Sequence, residues 1–405
     1  MMVSLRIVIS LQVLTYAVLS LTQNAAPFKL PPQSVFIDSP SFAVLGENAT
    51  FRQSSLFQLF NPTNTTPPFF QIFDQSFLSI IGPSPFIREI ASNNTFPFAY
   101  EAPIFNSKTN EVFFSSSISM KDVDAALAVN STSTINVPVT EVCLIFNLMV
   151  VTATHAFILQ LDLPETVQMT NGGTGPFKGS LLFVTNGRGP RPASVVLVNP
   201  LSPNNATVLL DNFFGRQFNS LDDVKVHPSG NIFFTDLTIA SIDHIRPPPL
   251  IPPQVYRLDP NARTVRVVAT GFMEPNGIAF SPDGETAYIS DTGSLAATVD
   301  QTKTATIFAF DVDKKTQAFK NRSVFAYTDA GIPDGIHVDT KGNVYAGCGD
   351  GVQVWNDEGT LLGKFFIGSS IANMIFTGDG RMVILAGNKI FLANIAAKGL
   401  PPLFP

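Results

Sequence analysis

Cysteine is almost absent from this chain of 405 residues: Cys143 and Cys348 are the only two. At most one disulfide can form, so the fold must be held by its core rather than by cross-links. Charge is also scarce. Charged residues make up 14% of the chain, the formal net charge is −6 and no basic stripe occurs, which excludes nucleic acid and anionic membrane as main partners. No Gly-X-Ser-X-Gly elbow is present, which argues against a Ser-His-Asp hydrolase. What is plentiful is Phe, at 36, with 31 Pro and 27 Gly. Aromatic residues favour strands and Gly and Pro favour turns, so one large all-β domain is expected rather than two or three smaller ones.

The first residues, MMVSLRIVISLQVLTYAVLSLTQNAAP, place one Arg before an apolar run that ends in small and polar residues. Residues 1–22 read as a secretory signal peptide, the alternative being an N-terminal membrane anchor. Six Asn-X-Ser/Thr sequons, at Asn48, Asn64, Asn93, Asn130, Asn205 and Asn321, accord with export and glycosylation. Residues 23–97, rich in Pro, Phe, Ser and Asn, are expected to be an arm over the main body, a closing strand, or partly irregular.

From residue 98 onward one phrase recurs: a polar residue near a turn, a short apolar strand, a Gly or Asn turn, and a second strand. EPNGIAFSPDGETAYISDTG (274–293) and IPDGIHVDTKGNVYAGCGDG (332–351) are the clearest copies. Others are EAPIFNSKTNEVFFSS from Glu101, LDDVKVHPSGNIFFTD from Leu221, NMIFTGDGRMVILAG from Asn373, and GTGPFKGSLLFVTNG from Gly173, which matches only in its turn and strand. Units of 40 to 70 residues suit four-stranded blades, and six copies predict a six-bladed β-propeller over residues 98–405.

In a propeller the first strand of every blade lines one central channel. The leading residues Glu101, Asp222, Asn276 and Asp334 are therefore expected to converge there although they are far apart in sequence. Taken singly, an Asp or Asn beside a Gly is a common turn residue that caps its own backbone. Four oxygen donors at equivalent places point instead to a cation among them, Ca²⁺ or a similar divalent ion. A zinc site of the thiolate type is disfavoured because no Cys or paired His occupies those places.

At these residues the chain resembles the senescence-marker-protein/gluconolactonase/luciferin-regenerating-enzyme-like family, and within it the secreted fungal lactonohydrolases. The resemblance implies a six-bladed propeller with one axial divalent cation held by a Glu, two Asn and an Asp. Those ligands fall on Glu101 in YEAPIF, Asp222 in NSLDDV, Asn276 in EPNGIAF and Asp334 in IPDGIHVD. Asp222 departs from the family's Asn, adding charge that favours a cation and removing an amide that could polarise a substrate oxygen.

The function implied is a secreted, monomeric lactonase dependent on one cation. Ca²⁺ leads, with Zn²⁺, Mg²⁺ and Mn²⁺ open, and a small lactone is the partner. Asp334 would act as base, and Asp223 and Asn219 would orient ligand or substrate, Asp223 alternatively capping the next strand turn. His227 and His337 would support a ligand from behind or hold the fold. The alternatives are a non-catalytic binding propeller and a phosphotriesterase-like hydrolase using the same site.

Two segments interrupt the pattern. HIRPPPLIPP, residues 244–253, is expected to be a stiff flap near the channel mouth. VCLIFNLMVVTATHAFILQ, residues 142–160, is apolar enough for a membrane span, or for a buried insertion. A third reading, which we favour, is a translated retained intron. Val142-Cys143, Thr154-His155 and Leu159-Gln160 can each be encoded by splice-like signals, and the nineteen codons keep the frame. On that reading the functional chain has one cysteine, and the segment is an exposed or poorly packed excursion.

Overall fold

The computed structural model describes residues 26–52, 56, 58–117, 139–143, 157–161, 163–295, 299–378 and 380–405. The expected signal peptide, the Asn130 sequon and residues 144–156 lie outside the described residues. Among those described, no helix is long and apolar enough to cross a membrane.

Antiparallel sheets stand side by side around an axis. The first four-stranded blade runs through Glu101–Asn106, Glu111–Ser115, Val139–Cys143 and Phe157–Gln160. The next runs through Thr170–Phe177, Ser180–Thr185, Ser194–Val198 and Ala206–Leu210. The third contains Leu221–Val226, Ile232–Asp236, Gln254–Asp259 and Thr264–Thr270. The fourth contains Pro275–Phe280, Thr286–Asp291, Thr306–Val312 and Phe319–Tyr327. A fifth joins Asn373–Phe376, Arg381–Leu385 and Lys389–Asn394 to Phe86–Ser92 from far upstream.

The expectation of six four-stranded blades is corrected: among the described residues four-stranded blades number five, and the Asp334 repeat lies inside a six-stranded sheet. Its strands Ile336–Val338, Val344–Cys348, Gly351–Trp355 and Leu361–Phe366 are extended at the outer edge by Phe69–Ile72 and Ser34–Phe36. The cause is aromatic. Phe69 and Phe70 lie directly opposite Phe366 and Phe365, with ring centroids 5.0 and 5.1 Å apart, so the upstream segment gains a hydrophobic edge to pair with.

Residues 23–97 thus supply both a closing strand and an edge extension. Phe86–Ser92 pairs with Lys389–Asn394, tying the two ends of the ring together through backbone hydrogen bonds. The first strands then touch in a closed circle, 101–106 to 170–177 to 221–226 to 275–280 to 336–338 to 373–376 and back.

Blades stack face to face, so central strands are buried on both sides. In Ile232-Phe233-Phe234 all three residues are fully buried; Phe233 packs with Phe280 and Phe308, while Phe234 packs with Val184 and Tyr256. Alternation along the strand sends successive side chains to opposite faces, and here both faces are core. The aromatic richness of the sequence is consumed in these layers.

The described ends of segment 142–160 are paired strand, Val142 lying opposite Ile158 and Cys143 opposite Phe157, and the rest of the expected excursion falls outside the described residues. Cys348 is a free, buried thiol.

Candidate functional site

Four of the six first strands enter the ring through the same irregularity, while Ile336–Val338 and Asn373–Phe376 pair in regular register. Register shifts fall between Glu101 and Ile104, Thr170 and Gly173, Leu221 and Val224, and Pro275 and Ile278. A bulge at this position breaks the strict alternation and turns the leading side chain toward the axis. Close approach of the blades there requires glycine. A Cβ on Gly277 would lie 2.3 Å from the Asp334 carbonyl oxygen, and one on Gly335 would lie 2.3 Å from the Asn373 side chain.

Glu101, Asp222 and Asn276 are buried, and Asp334 is half-buried beside them. Their proton affinities report the crowding. Burial, opposed by the hydrogen bond from Asn373 and reinforced by Asp223, pushes the Glu101 carboxyl up to about 8. Asp222 is pushed well up by burial and then by Glu101 and Asp223. Burial, Glu101 and Asp222 do the same to Asp334, against a hydrogen bond from Asn276. Three carboxyls from three repeats therefore share one field, in which Lys225 offsets only part of the crowding at Glu101.

Two further residues belong to this set. Asn171 Nδ2 donates to Asp222 Oδ1 at 2.6 Å, and Asn373 Nδ2 donates to Glu101 Oε2 at 2.8 Å. Asn171-Gly172 repeats Asn276-Gly277, and Asn373 leads its own copy of the phrase; that is the signal in the sequence that identifies both. Tyr100 is a third addition. The residue as a whole is exposed, while desolvation of its hydroxyl together with the charges of Asp334, Glu101, Asp222 and Asp243 holds the phenol un-ionised.

The remaining expected residues make the following contacts. Asp223 Oδ1 accepts from Val224 N at 2.7 Å, Oδ2 accepts from Ile278 N at 3.0 Å, and Lys225 Nζ lies 3.1 Å away. It latches the third blade to the fourth, and its charge acts on all three axial carboxyls. Asn219 is buried, with Nδ2 donating to Ile251 O at 3.0 Å. His227 is not part of the axial set. Its Nε2 donates to Gly284 O and its Nδ1 accepts from Ser229, while its ring packs on Phe233 and Phe280 between blades. His337 lies among the inner strands, interacts with Asn373, and is kept neutral by burial.

The loops that present the axial residues are pinned from behind. Asp236 accepts from the backbone N–H groups of Asn219 and Ser220, and Asp291 from those of Met273 and Glu274. The 244–253 loop is anchored by buried Arg246, which donates to the carbonyls of Gly189, Phe218 and Asn219, while Leu250 stands 77% exposed. The expected stiff flap is thus clamped at its base.

Among the described residues no group of three or more His, Cys, Asp or Glu closes around a common point in metal-binding geometry. The chemistry of the donors nevertheless fits a hard cation: the axial groups are carboxylate and amide oxygens, and Glu101 and Asp222 raise the proton affinity of Asp334.

Known proteins share this arrangement of sheets. A structure described as a putative gluconolactonase superposes with a TM-score of 0.63 at 21% identity, covering 82% of this chain and 99% of that one. A gluconolactonase from Xanthomonas campestris gives 0.58 at 22% identity, over 80% and 93%. By sequence, lactonohydrolase oryL of Aspergillus oryzae is 32% identical over 46% of each chain, and a gluconolactonase of Zymomonas mobilis 25% identical over 48% of this chain and 55% of its own. The chain spans about half the length of the curated relatives it matches. Residues 103–386, which hold every axial position except Glu101 and Tyr100 just before them, match the SMP-30/gluconolactonase/LRE-like region. The repeated phrase, the bulged first strands and this match agree, and the chain belongs to the SMP-30/gluconolactonase/LRE-like family.

Proposed function

We propose that this protein is a secreted, monomeric, cation-dependent hydrolase of a small lactone. One observation carries the reading: carboxyls from three repeats, buried Glu101 and Asp222 and half-buried Asp334, lie near enough together that Glu101 raises the proton affinity of Asp222, and both raise that of Asp334. Such a cluster is poised to take up a divalent ion, and oxygen donors favour Ca²⁺. Glu101, Asp222, Asn276 and Asp334 would hold it, with Asn171 and Asn373 fixing the carboxylates of Asp222 and Glu101. When bound, the ion would supply Lewis-acid polarisation of the lactone carbonyl.

The chain's own part is positioning and proton transfer. Asp334, ionised in the loaded site, accepts a proton from water as that water attacks the carbonyl carbon. Un-ionised Tyr100 offers a hydrogen-bond donor at the mouth. Names of relatives support the substrate class: lactonohydrolase, gluconolactonase and, for a Haloferax volcanii protein 28% identical over 172 residues, pentonolactonase. Regucalcin of Danio rerio, 31% identical over 135 residues, is in the same group, and a similar structure is titled a calcium-binding protein. Exposed Asn48, Asn64, Asn205 and Asn321 are consistent with glycosylation on export.

The decisive experiment assays purified protein on aldonolactones, aromatic lactones and a phosphotriester, with calcium binding followed by calorimetry. Asp334→Ala is expected to cut lactone turnover by about 10²–10⁴-fold, the usual range for a lost general base, and to weaken calcium. Full activity in that variant would remove Asp334 from the mechanism. Calcium binding without turnover on any substrate would make the protein a binding propeller, and turnover confined to the phosphotriester would reassign the site.

A further inference from the structure

The clamped flap belongs to a longer loop, residues 237–253, that stands at the axial end of the ring. It leaves the third blade after Asp236, which lies opposite Leu221 and so beside the axial residue Asp222, and it returns at Gln254. Neighbouring blades hold it on both sides. Thr238 N donates to Glu274 Oε2 at 2.7 Å and the Thr238 hydroxyl donates to Glu274 Oε1, two residues before Asn276 on the fourth blade. Gly189 N of the second blade donates to Ile245 O at 2.8 Å, and Arg246 Nη1 donates back to Gly189 O at 2.6 Å. Between these anchors one helical turn, Ile239–Ile242, leads to exposed Asp243 and His244. The charge of Asp243 acts on the Tyr100 hydroxyl of the first blade, as do the charges of Asp334, Glu101 and Asp222. The loop therefore carries a carboxylate over the third blade to the mouth of the axial site.

Three cations of this region are engaged elsewhere. Arg246 donates to the carbonyls of Gly189, Arg191, Phe218 and Asn219 and to Gln217, Lys225 lies 3.1 Å from Asp223, and Arg191 lies 3.2 Å from Glu165. With one divalent ion bound, the ionised carboxyls of Glu101, Asp222 and Asp334 still outweigh its charge. The loaded axis stays negative, and Asp243 adds the same sign at its entrance. An anion approaching the mouth is repelled by both, whereas an uncharged molecule is not.

We propose that Asp243 is a specificity-determining residue, holding negative charge at the mouth so that the site accepts uncharged lactones and rejects those that carry a carboxylate. The assignment rests on the lactonase reading for turnover but not for binding. The test compares D-glucono-1,4-lactone with D-glucaro-1,4-lactone, in which a carboxylate replaces the terminal CH₂OH, on the calcium-loaded full chain at about pH 7.5. Turnover and, by calorimetry, affinity are measured for each. The wild type should favour the uncharged lactone about tenfold or more; Asp243→Asn should narrow that ratio about fivefold, and Asp243→Lys further. Both substitutions fall on an exposed side chain. Salt at about 1 M, where the screening length is about 3 Å, should narrow the wild-type ratio in the same direction. Equal use of the two lactones by the wild type, or a ratio unmoved in both variants, would overturn the proposal. If neither is turned over yet the uncharged one binds more tightly and Asp243→Asn narrows the gap, the catalytic reading fails and the charge selection stands. Binding of neither lactone would end both.

Discussion

Asp223 and its neighbour Asp222 are one residue apart and do opposite work, because the bulge turns one to the axis and the other into the seam between blades. Asp223 is 2% exposed and its partner Lys225 has a side chain 14% exposed, so removing the carboxylate strands a nearly buried ammonium. Breaking such a pair from one side typically costs about 3–5 kcal/mol. Asp223→Asn is expected to lower the urea midpoint accordingly, and Asp223→Asn with Lys225→Met to recover much of the loss; equal stability of wild type and single variant would refute the latch.

Glu101 gives a pH signature. Its carboxyl is raised in the folded state to about 8 from 4.5, chiefly by burial, so between those values the folded chain holds a proton that the unfolded chain has released. Stability of the cation-free protein should therefore be greatest near pH 5 and fall as pH rises through about 8. Melting curves in EDTA from pH 5 to 9 should show that slope, and Glu101→Gln should flatten part of it. A slope unchanged in the variant would mean that other groups set it.

At the scale of elements, the repeated phrase was legible because turn chemistry and strand alternation are local: a polar lead, a Gly turn and a β-branched or aromatic run sit within some twenty residues. The closing strand Phe86–Ser92 was not legible, since nothing near it names a partner some three hundred residues downstream. The same holds for the edge strand Phe69–Ile72, whose pairing is set by Phe365 and Phe366.

Segment 142–160 is the open question at this scale. Its last residues form the outer strand of the first blade, paired with a strand that includes Val142 and Cys143. The retained-intron reading expects transcripts lacking these nineteen codons and a shortened protein that folds, with LDLPE from Leu161 taking part in the blade edge. Transcript sequencing with melting of the short protein checks it; an obligatory long message and an unfolded short protein would end it.

For the whole molecule, the axial site is where every sheet contributes and none is sufficient. A cation there would bridge sheets across the ring, so calcium should stabilise the assembled propeller, by roughly 2.7 kcal/mol when present at a hundred times its dissociation constant. The thermal midpoint should rise with calcium and the gain should vanish in Asp334→Ala; a calcium shift that survives that substitution would place the ion elsewhere.

The sequence by itself determined the class of fold and the repeated unit, and named four candidate axial oxygen donors, because each is written in local pattern and in its recurrence. The tertiary structure decided which neighbours those donors meet. Asn171 and Asn373 join the axis, Asp223 and His227 leave it for seams between blades, and upstream strands close one sheet and enlarge another. The reason is geometric: a bulge of one residue decides whether a side chain faces the channel or the core, and ring closure brings together strands that no local signal connects.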